Sequence, residues 1–326
     1  MQALEVNYLG LALKNPLIVS SSGLTSTAER IVSLERAGAG AVVLKSLFEE
    51  QINMEVASAD YYNDYPEAHD YLSEYTRQHS LTQHMELISE AKKKTDIPII
   101  ASVCCTTAGE WIDFAEKLQD AGADALELNI YLLPLGKDTT TADVERAYLE
   151  IVDRVCRAVT IPVSVKLGQQ FTNIPATVEA LFYRKAKGVV LFNRYYDPDI
   201  DVDNLTMTGA PVFSSPSEFR TVLRWLAICS ALVPNMQYAA STGIHDGKTA
   251  VKALLGGATG VEICSTIYQN GMGIIPHILQ TLETWMVKHG YTRVEDFIGK
   301  MNYAGLKDPA AYERTQFMRY FSSLEK

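Results

Sequence analysis

The strongest constraint on this chain is a rhythm: eight short apolar runs, rich in β-branched residues, recur along it with helical patterns between them. They are Leu17–Val19, Ala41–Leu44, Ile97–Val103, Ala125–Leu128, Ile161–Val165, Gly188–Phe192, Met236–Ala240 and Val261–Cys264. Most are continuous rather than alternating, the pattern of strands buried on both faces of a parallel sheet. Helical spacing of apolar residues appears in Thr27–Ala37, Glu110–Asp120, Ala142–Ala158, Thr177–Lys185, Pro216–Ala231, Asp246–Leu255 and Ile275–Lys288. Thr141 and Asp246 are candidate helix caps, and Pro216 suits a first helical turn.

Several helix-to-strand joints share one design. Ala37-Gly38-Ala39, Ala121-Gly122-Ala123, Gly256-Gly257-Ala258 and Lys187-Gly188 each place a glycine where a helix must end in a left-handed residue and turn tightly into a strand. Eight β-then-α units with short joints on one side predict a closed (β/α)8 TIM barrel, with an open doubly wound sheet as the alternative. The 326 residues, 47% of them hydrophobic, suffice for one domain over 1–326. An inserted loop at about 47–78 interrupts the rhythm. It is acidic, carries Tyr61, Tyr62, Tyr65, Tyr71 and Tyr75, and follows strand two, so it is expected over the C-terminal rim as a lid or a contact surface.

Charge and cysteine usage exclude several classes. A net charge of −10 without a basic run disfavours nucleic acid and anionic membrane. No uninterrupted apolar stretch approaches membrane-spanning length, and the N-terminus lacks the pattern of a secretory signal, so a cytoplasmic protein is expected. The five cysteines form no framework, and CxxC and HExxH are absent, so reduced thiols and no metal site are expected.

In barrels of this kind function sits on the loops after the strands, and phosphates often bind after strands seven and eight. Strand seven ends in Ala240-Ser241-Thr242-Gly243-Ile244 and runs to a helix start at His245-Asp246-Gly247; strand eight ends in Ile263-Cys264-Ser265-Thr266. Small residues at both ends let backbone N–H groups approach a phosphate. Lys45-Ser46, Asn129, Lys166 and Asn193 end strands two, four, five and six, so four polar groups converge on one mouth. A fixed lysine stabilises the negative charge of a reduced flavin, and asparagines suit both a flavin edge and a cyclic imide.

The same residues resemble the dihydroorotate dehydrogenase family. Asn15-Pro16 leading to Ser21-Ser22-Gly23, and Ala39-Gly40-Ala41-Val42-Val43-Leu44-Lys45-Ser46, are similar to its opening. Glu127-Leu128-Asn129, Val165-Lys166-Leu167, the Ser241–Ile244 and Ile263–Ser265 pair, and the tail from Gly290-Tyr291-Thr292 to Asp296–Lys300 continue the match in order. Cys264-Ser265 also resembles the flavin barrel of dihydropyrimidine dehydrogenase. The resemblance implies an FMN-dependent oxidoreductase taking dihydroorotate to orotate in pyrimidine biosynthesis, acting as a homodimer. It leaves the acceptor open among fumarate, NAD through a partner subunit and an iron–sulfur protein. It implies that Ser21, Ser22, Lys45 and Ser46 touch the flavin, that Asn129 and Asn193 sit between flavin and substrate, and that Lys166 stabilises the reduced ring. Ser215, Thr242, Gly243, Cys264 and Ser265 would cradle the ribityl phosphate.

The departures are equally specific. After strand four the family has Asn-Leu-Ser-Cys-Pro-Asn, or serine for the cysteine; here the segment reads Asn129-Ile130-Tyr131-Leu132-Leu133-Pro134. Leu132 stands where the catalytic base belongs, and Arg194 follows Asn193 where a small residue is usual. The flavin site is thus expected to be kept and the substrate site rebuilt. Tyr131, Cys104, Cys105 and the Tyr61–Tyr75 loop are the candidate replacement bases. Two other functions compete: a non-redox phosphate-binding barrel of the aldolase kind, with Lys166 as Schiff-base lysine, and a non-catalytic FMN-binding protein.

Overall fold

A computed structural model describes residues 3–48, 66–104, 108–195 and 197–313. Eight parallel strands close on themselves: β1 Leu17–Val19, β2 Ala41–Val43, β3 Ile99–Cys104, β4 Ala125–Asn129, β5 Val163–Leu167, β6 Gly188–Leu191, β7 Gln237–Ala240 and β8 Gly260–Ile263. Each hydrogen-bonds to the next, and β8 returns to β1 through Val261 opposite Leu17 and Ile263 opposite Val19. The closed barrel replaces the open-sheet alternative, and every one of the eight apolar runs holds a strand. Nearly all strand residues are buried, because the barrel interior covers one face and the helices cover the other.

Among the described residues, the helices of nine or more residues are α1 Ala28–Arg36, α2 Pro66–Lys94, α3 Ala108–Asp120, α4 Thr141–Ala158, α5 Ile174–Tyr183, α6 Phe219–Leu232, α7 Gly247–Gly256 and α8 Ile274–His289. Each turns an apolar stripe inward, as Trp111, Phe114, Ala115 and Leu118 do on α3. Asp246 caps α7 by accepting from the Thr249 N–H, as expected. The cap of α4 is Thr140 rather than Thr141. Its hydroxyl accepts from the Asp143 N–H while Asp143 accepts from the Thr140 N–H, a reciprocal pair that Thr141 could not make. Pro216 opens a single 3-10 turn, Pro216–Glu218, that leads into α6.

The inserted loop also needs correcting. From Pro66 onward the chain is helical, and α2 runs for 29 residues. No glycine or proline interrupts it after Pro66, and Leu81, Ile88 and Ala91 supply its buried face. Tyr61, Tyr62 and Tyr65 lie outside the described residues; Tyr71 and Tyr75 fall on α2.

Left-handed glycines end α1, α3 and α7 as the joints require, with φ of +108° at Gly38, +99° at Gly122 and +112° at Gly257. Before β6 the left-handed residue is Lys185, φ +68°, not Gly188. Gly188 has another job. A Cβ there would lie 2.6 Å from Leu9 Cδ2, on an antiparallel hairpin of Val6–Tyr8 and Leu11–Leu13. That hairpin touches the first residues of β6, β7 and β8, at the barrel's N-terminal end: Leu9 N–H donates to the Gln237 side chain, and Tyr8 lies beside Gly188 and Gly260. It floors the barrel, so the opposite end is the open mouth. A second hairpin, Pro198–Asp201 with Thr206–Gly209, projects from the mouth side after β6. Among the described residues no helix is long and apolar enough to cross a membrane.

If the floor must fit this closely, Gly188→Val should destabilise the protein by about 1–3 kcal/mol, the usual range for overpacking. Chemical denaturation should show the midpoint falling; an unchanged midpoint would mean the hairpin does not press on β6.

Candidate active site

Strand alternation decides what enters the barrel. On β4, Ala125, Glu127 and Asn129 share a face, and on β5 Ser164 and Lys166 share one, with Asn129 opposite Lys166 and Glu127 opposite Ser164 in the ladder. Lys166 therefore rises from the interior toward the mouth, with two glutamates around it. Its Nζ donates to Glu262 Oε2 at 2.7 Å, to Ser20 Oγ at 2.9 Å and to Glu127 Oε1 at 3.3 Å. Ser20 Oγ donates in turn to Glu262 Oε2 at 2.8 Å. Lys166 is 5% exposed, Glu262 2% and Glu127 1%, so water screens this cluster little.

Burial and shared charge set the protonation. Burial pulls against the Lys166 ammonium, but the two carboxylates outweigh it and hold its pKa above the ordinary value. Burial also works against an ionised Glu262, yet the Lys166 charge and the hydrogen bonds it receives keep its pKa below the usual carboxylate range. Glu127 goes the other way: burial, then repulsion from Glu262, push it up to about 8.

Above this cluster lies a cavity of about 170 Å3. Ser20, Ser21, Lys166, Asn193, Arg194, Val212, Ser214, Ser241, Thr242, Gly243, Ile244, Glu262, Cys264 and Ser265 line it. The structure thus brings together seven of the sequence-predicted residues: Ser21, Lys166, Asn193, Thr242, Gly243, Cys264 and Ser265. Asn129 adjoins them, accepting at Oδ1 from Asn193 Nδ2 at 2.6 Å. Ser46 lies one hydroxyl deeper, 3.1 Å from Ser21 Oγ and 2.7 Å from Ser102 Oγ. Ser22 caps the 3-10 turn Gly23–Thr25 and bonds the Cys264 thiol, whose pKa burial pushes up. Lys45 is half-buried beside the mouth but is not among the lining residues; its carbonyl accepts from His84 Nε2 of α2 at 3.0 Å.

The end of the cavity under β7 and β8 is shaped for an anion. Thr242 and Gly243 both have left-handed backbone, φ +81° and +76°, a turn of the kind that can present backbone N–H groups to an anion. A Cβ at Gly243 would lie 2.4 Å from the Phe219 amide nitrogen, so only glycine fits. The serine that reaches this turn is Ser214, not Ser215. Ser214 Oγ accepts from the Gly243 N–H at 3.3 Å and sits 3.1 Å from His245 Nε2, while its own N–H donates to Ser265 Oγ at 3.0 Å. Ser215 points away, to Ser217 and Glu218. Arg194 braces this loop, pairing with Glu218 at 2.9 Å and donating to the carbonyls of Val212 and Pro211.

The other side of the mouth is aromatic. Tyr131 and Tyr195 pack with ring centroids 4.3 Å apart and planes tilted by 42°. Tyr148 donates to the Ile130 carbonyl at 3.0 Å and meets Phe171 edge-on at 5.1 Å. Burial pushes Tyr148 up to about 12 and Tyr195 higher still, so neither is an anionic base near neutrality. Leu132 is half-buried and packs against the core. Cys104 is buried at the end of β3, and Cys105 lies outside the described residues. Among the described residues no group of three or more histidine, cysteine, aspartate or glutamate side chains could hold a metal ion.

Sequence reading missed Glu127, Glu262 and Ser214. The signal was present in each case: a charged residue inside an otherwise apolar strand, two positions before a residue already assigned to the mouth, and a serine adjacent to one already chosen.

Fold and site together define the class: a (β/α)8 barrel whose C-terminal mouth joins a buried lysine, paired asparagines and an anion-shaped turn. The dihydroorotate dehydrogenase family model matches residues 3–286, and the chain belongs to that family. It is similar to proteins named dihydroorotate dehydrogenase B (NAD(+)), catalytic subunit, from several archaea. The relative from Pyrococcus abyssi is 28% identical over 321 residues, covering 91% of this chain and 98% of its own. That from Thermoplasma volcanium is 25% identical over 317 residues, covering 92% and 98%. That from Methanosarcina mazei is 26% identical over 317 residues, covering 89% and 92%.

Removing the ammonium at the centre should be severe. Lys166→Met leaves the buried Glu127–Glu262 pair without its cation and should lower stability by about 3–5 kcal/mol at neutral pH. Without the lysine, burial raises both carboxyl pKa values above their unfolded ones. The deficit should therefore shrink as pH falls and be fullest at high pH. Denaturation midpoints of wild type and variant across pH test this, and a deficit independent of pH would refute the assignment.

Proposed function

We propose that this chain is an FMN-dependent dehydrogenase of the dihydroorotate dehydrogenase type whose substrate is a small cyclic imide other than dihydroorotate. The observation that carries the reading is the single cavity running from Lys166 to the left-handed Thr242–Gly243 turn. The donor set fits FMN. Ser265, the amides around Gly243 and the Ser214 hydroxyl suit a phosphate, and Lys166 suits the electron-rich edge of a flavin ring. Bound FMN would supply the two-electron acceptor that these side chains cannot.

The chain's own residues would do the rest. Lys166, held as an ammonium, offers a fixed positive charge to the cofactor. The Asn129–Asn193 pair presents an amide donor and an amide acceptor, matching the N–H and C=O of an imide. Tyr131 and Tyr195 wall the mouth with apolar ring surface. Leu132 has no atom that can take a proton, which argues against the ordinary dihydroorotate chemistry at this position. The reading treats 1–326 as one domain working as a homodimer. The names of the archaeal relatives, each a catalytic subunit with NAD(+) as acceptor, support an electron outlet through a separate subunit.

Lys166 speaks against the aldolase-like alternative. A Schiff-base lysine must lose its proton to attack a carbonyl, and two carboxylates oppose that loss here. Turnover of any pyrimidine or related imide would remove the purely FMN-binding alternative.

Purified protein should show flavin absorbance. A colourless protein that cannot be reconstituted with FMN would defeat the proposal. In anaerobic mixing, dihydroorotate should leave the flavin oxidised while a different cyclic imide bleaches it; rapid bleaching by dihydroorotate would show that its site is intact. Gly243→Val should weaken FMN binding at least about tenfold, equivalent to about 1.4 kcal/mol, by fluorescence titration.

A further inference from the structure

The barrel interior holds more acid than the lysine can neutralise. Lys166 is one cation against two carboxylates, all three essentially out of water. Among the described residues, the other titratable groups that act on Glu127 and Glu262 are the Tyr8 hydroxyl, from the floor hairpin, and the Cys264 thiol at the end of β8. Burial keeps both of those neutral, and the hydroxyls of Ser20 and Ser164 lie nearby. Two ionised glutamates would leave a net negative charge buried without a counterion, which is strongly unfavourable. One carboxyl must take up a proton.

The contacts decide which one. Glu262 Oε2 receives both the shorter lysine bond, 2.7 Å, and the Ser20 hydroxyl at 2.8 Å. Glu127 receives only the 3.3 Å lysine contact. The other oxygen of Glu262, Oε1, is buried and has no donor, and the Glu127 and Glu262 carboxyl groups interact directly. An O–H on Glu127 would give the Glu262 carboxylate a further donor.

We propose that Glu127 and Glu262 share one proton beneath Lys166, carried on Glu127, and that this pair sets the charge facing the cavity and so tunes the reduction potential of the cofactor bound there. The proposal rests on the flavin reading for its second half only. Glu127 does not line the cavity, so it acts as a positioning residue through Lys166 and Glu262, which do. When two electrons enter the cavity from the substrate, the added negative charge raises the proton affinity of Glu127. Above the pH at which Glu127 ionises in the oxidised protein, reduction therefore draws one extra proton from water. No other reactant is consumed.

The test is a spectroelectrochemical titration of the FMN-loaded protein across pH. Wild type should take up one more proton per two electrons above the pH at which Glu127 ionises than below it. Glu127→Gln should lose that extra proton. Glu262→Gln should lose it too, because Glu127 then ionises and pairs with Lys166. The double variant leaves Lys166 uncompensated and should have a more positive potential at neutral pH. An extra proton that persists in Glu127→Gln, or a double variant with the wild-type potential, overturns the proposal. Apoprotein stability separates this from failure of the flavin reading. A carboxyl whose pKa is raised by folding binds its proton more tightly in the native state, so its contribution is lost as pH rises through the folded value. Wild-type apoprotein should thus lose thermal stability through about pH 8, and Glu127→Gln should not. Identical pH profiles would sink the shared proton whether or not FMN binds.

Discussion

The buried contact between Lys166, Glu262 and Glu127 is the constraint on which the site depends. A lysine side chain at the centre of a barrel is tolerable only with paired charge and satisfied hydrogen bonds. Those come from two other strands, β4 and β8, and from Ser20 just after β1. Closure of the sheet is what makes that convergence possible, since β8 must return beside β1 to bring Glu262 and Ser20 to the same ammonium. The hairpin floor completes the enclosure, and Tyr8 closes the cluster from below.

From that centre the mouth divides into two halves. One half is small, hydroxyl-rich and built on left-handed turns after β7, with Ser214 and Ser265 locking the neighbouring loop against it. The other is aromatic, with Tyr131 against Tyr195 beside the asparagine pair. The first half suits a phosphate group. The second is where Leu132 and Tyr131 occupy the segment that carries the proton-accepting residue in the family's usual pattern. A phosphate-suited end joined to an end without the family's usual proton acceptor is the physical content of the proposed function.

Much of this was legible in the sequence because periodicity and strand-end position are local properties. Eight short apolar runs and glycine-ended helices require little beyond neighbouring residues to interpret. Lys166, Asn129, Asn193, Thr242 and Gly243 were reached from strand ends alone. Glu127 and Glu262 were not, because a carboxylate in an apolar strand gains its meaning from a partner 135 residues away, and only barrel closure sets that distance to zero. Ser214 was passed over for Ser215 because loop register after a long irregular stretch is a tertiary matter. Helix α2 was hidden by its acidic, tyrosine-rich beginning, although Leu81, Ile88 and Ala91 keep helical spacing farther along. The cap at Thr140 and the left-handed Lys185 are shifts of one to a few residues of the kind that side-chain geometry settles.

The most direct test of the whole account is a crystal structure of the protein with FMN. The account expects the phosphate against the Thr242–Gly243 turn and Ser265, with the ring edge within hydrogen-bonding distance of Lys166 Nζ. FMN seated elsewhere, or a ring that leaves Lys166 uncontacted, would contradict it.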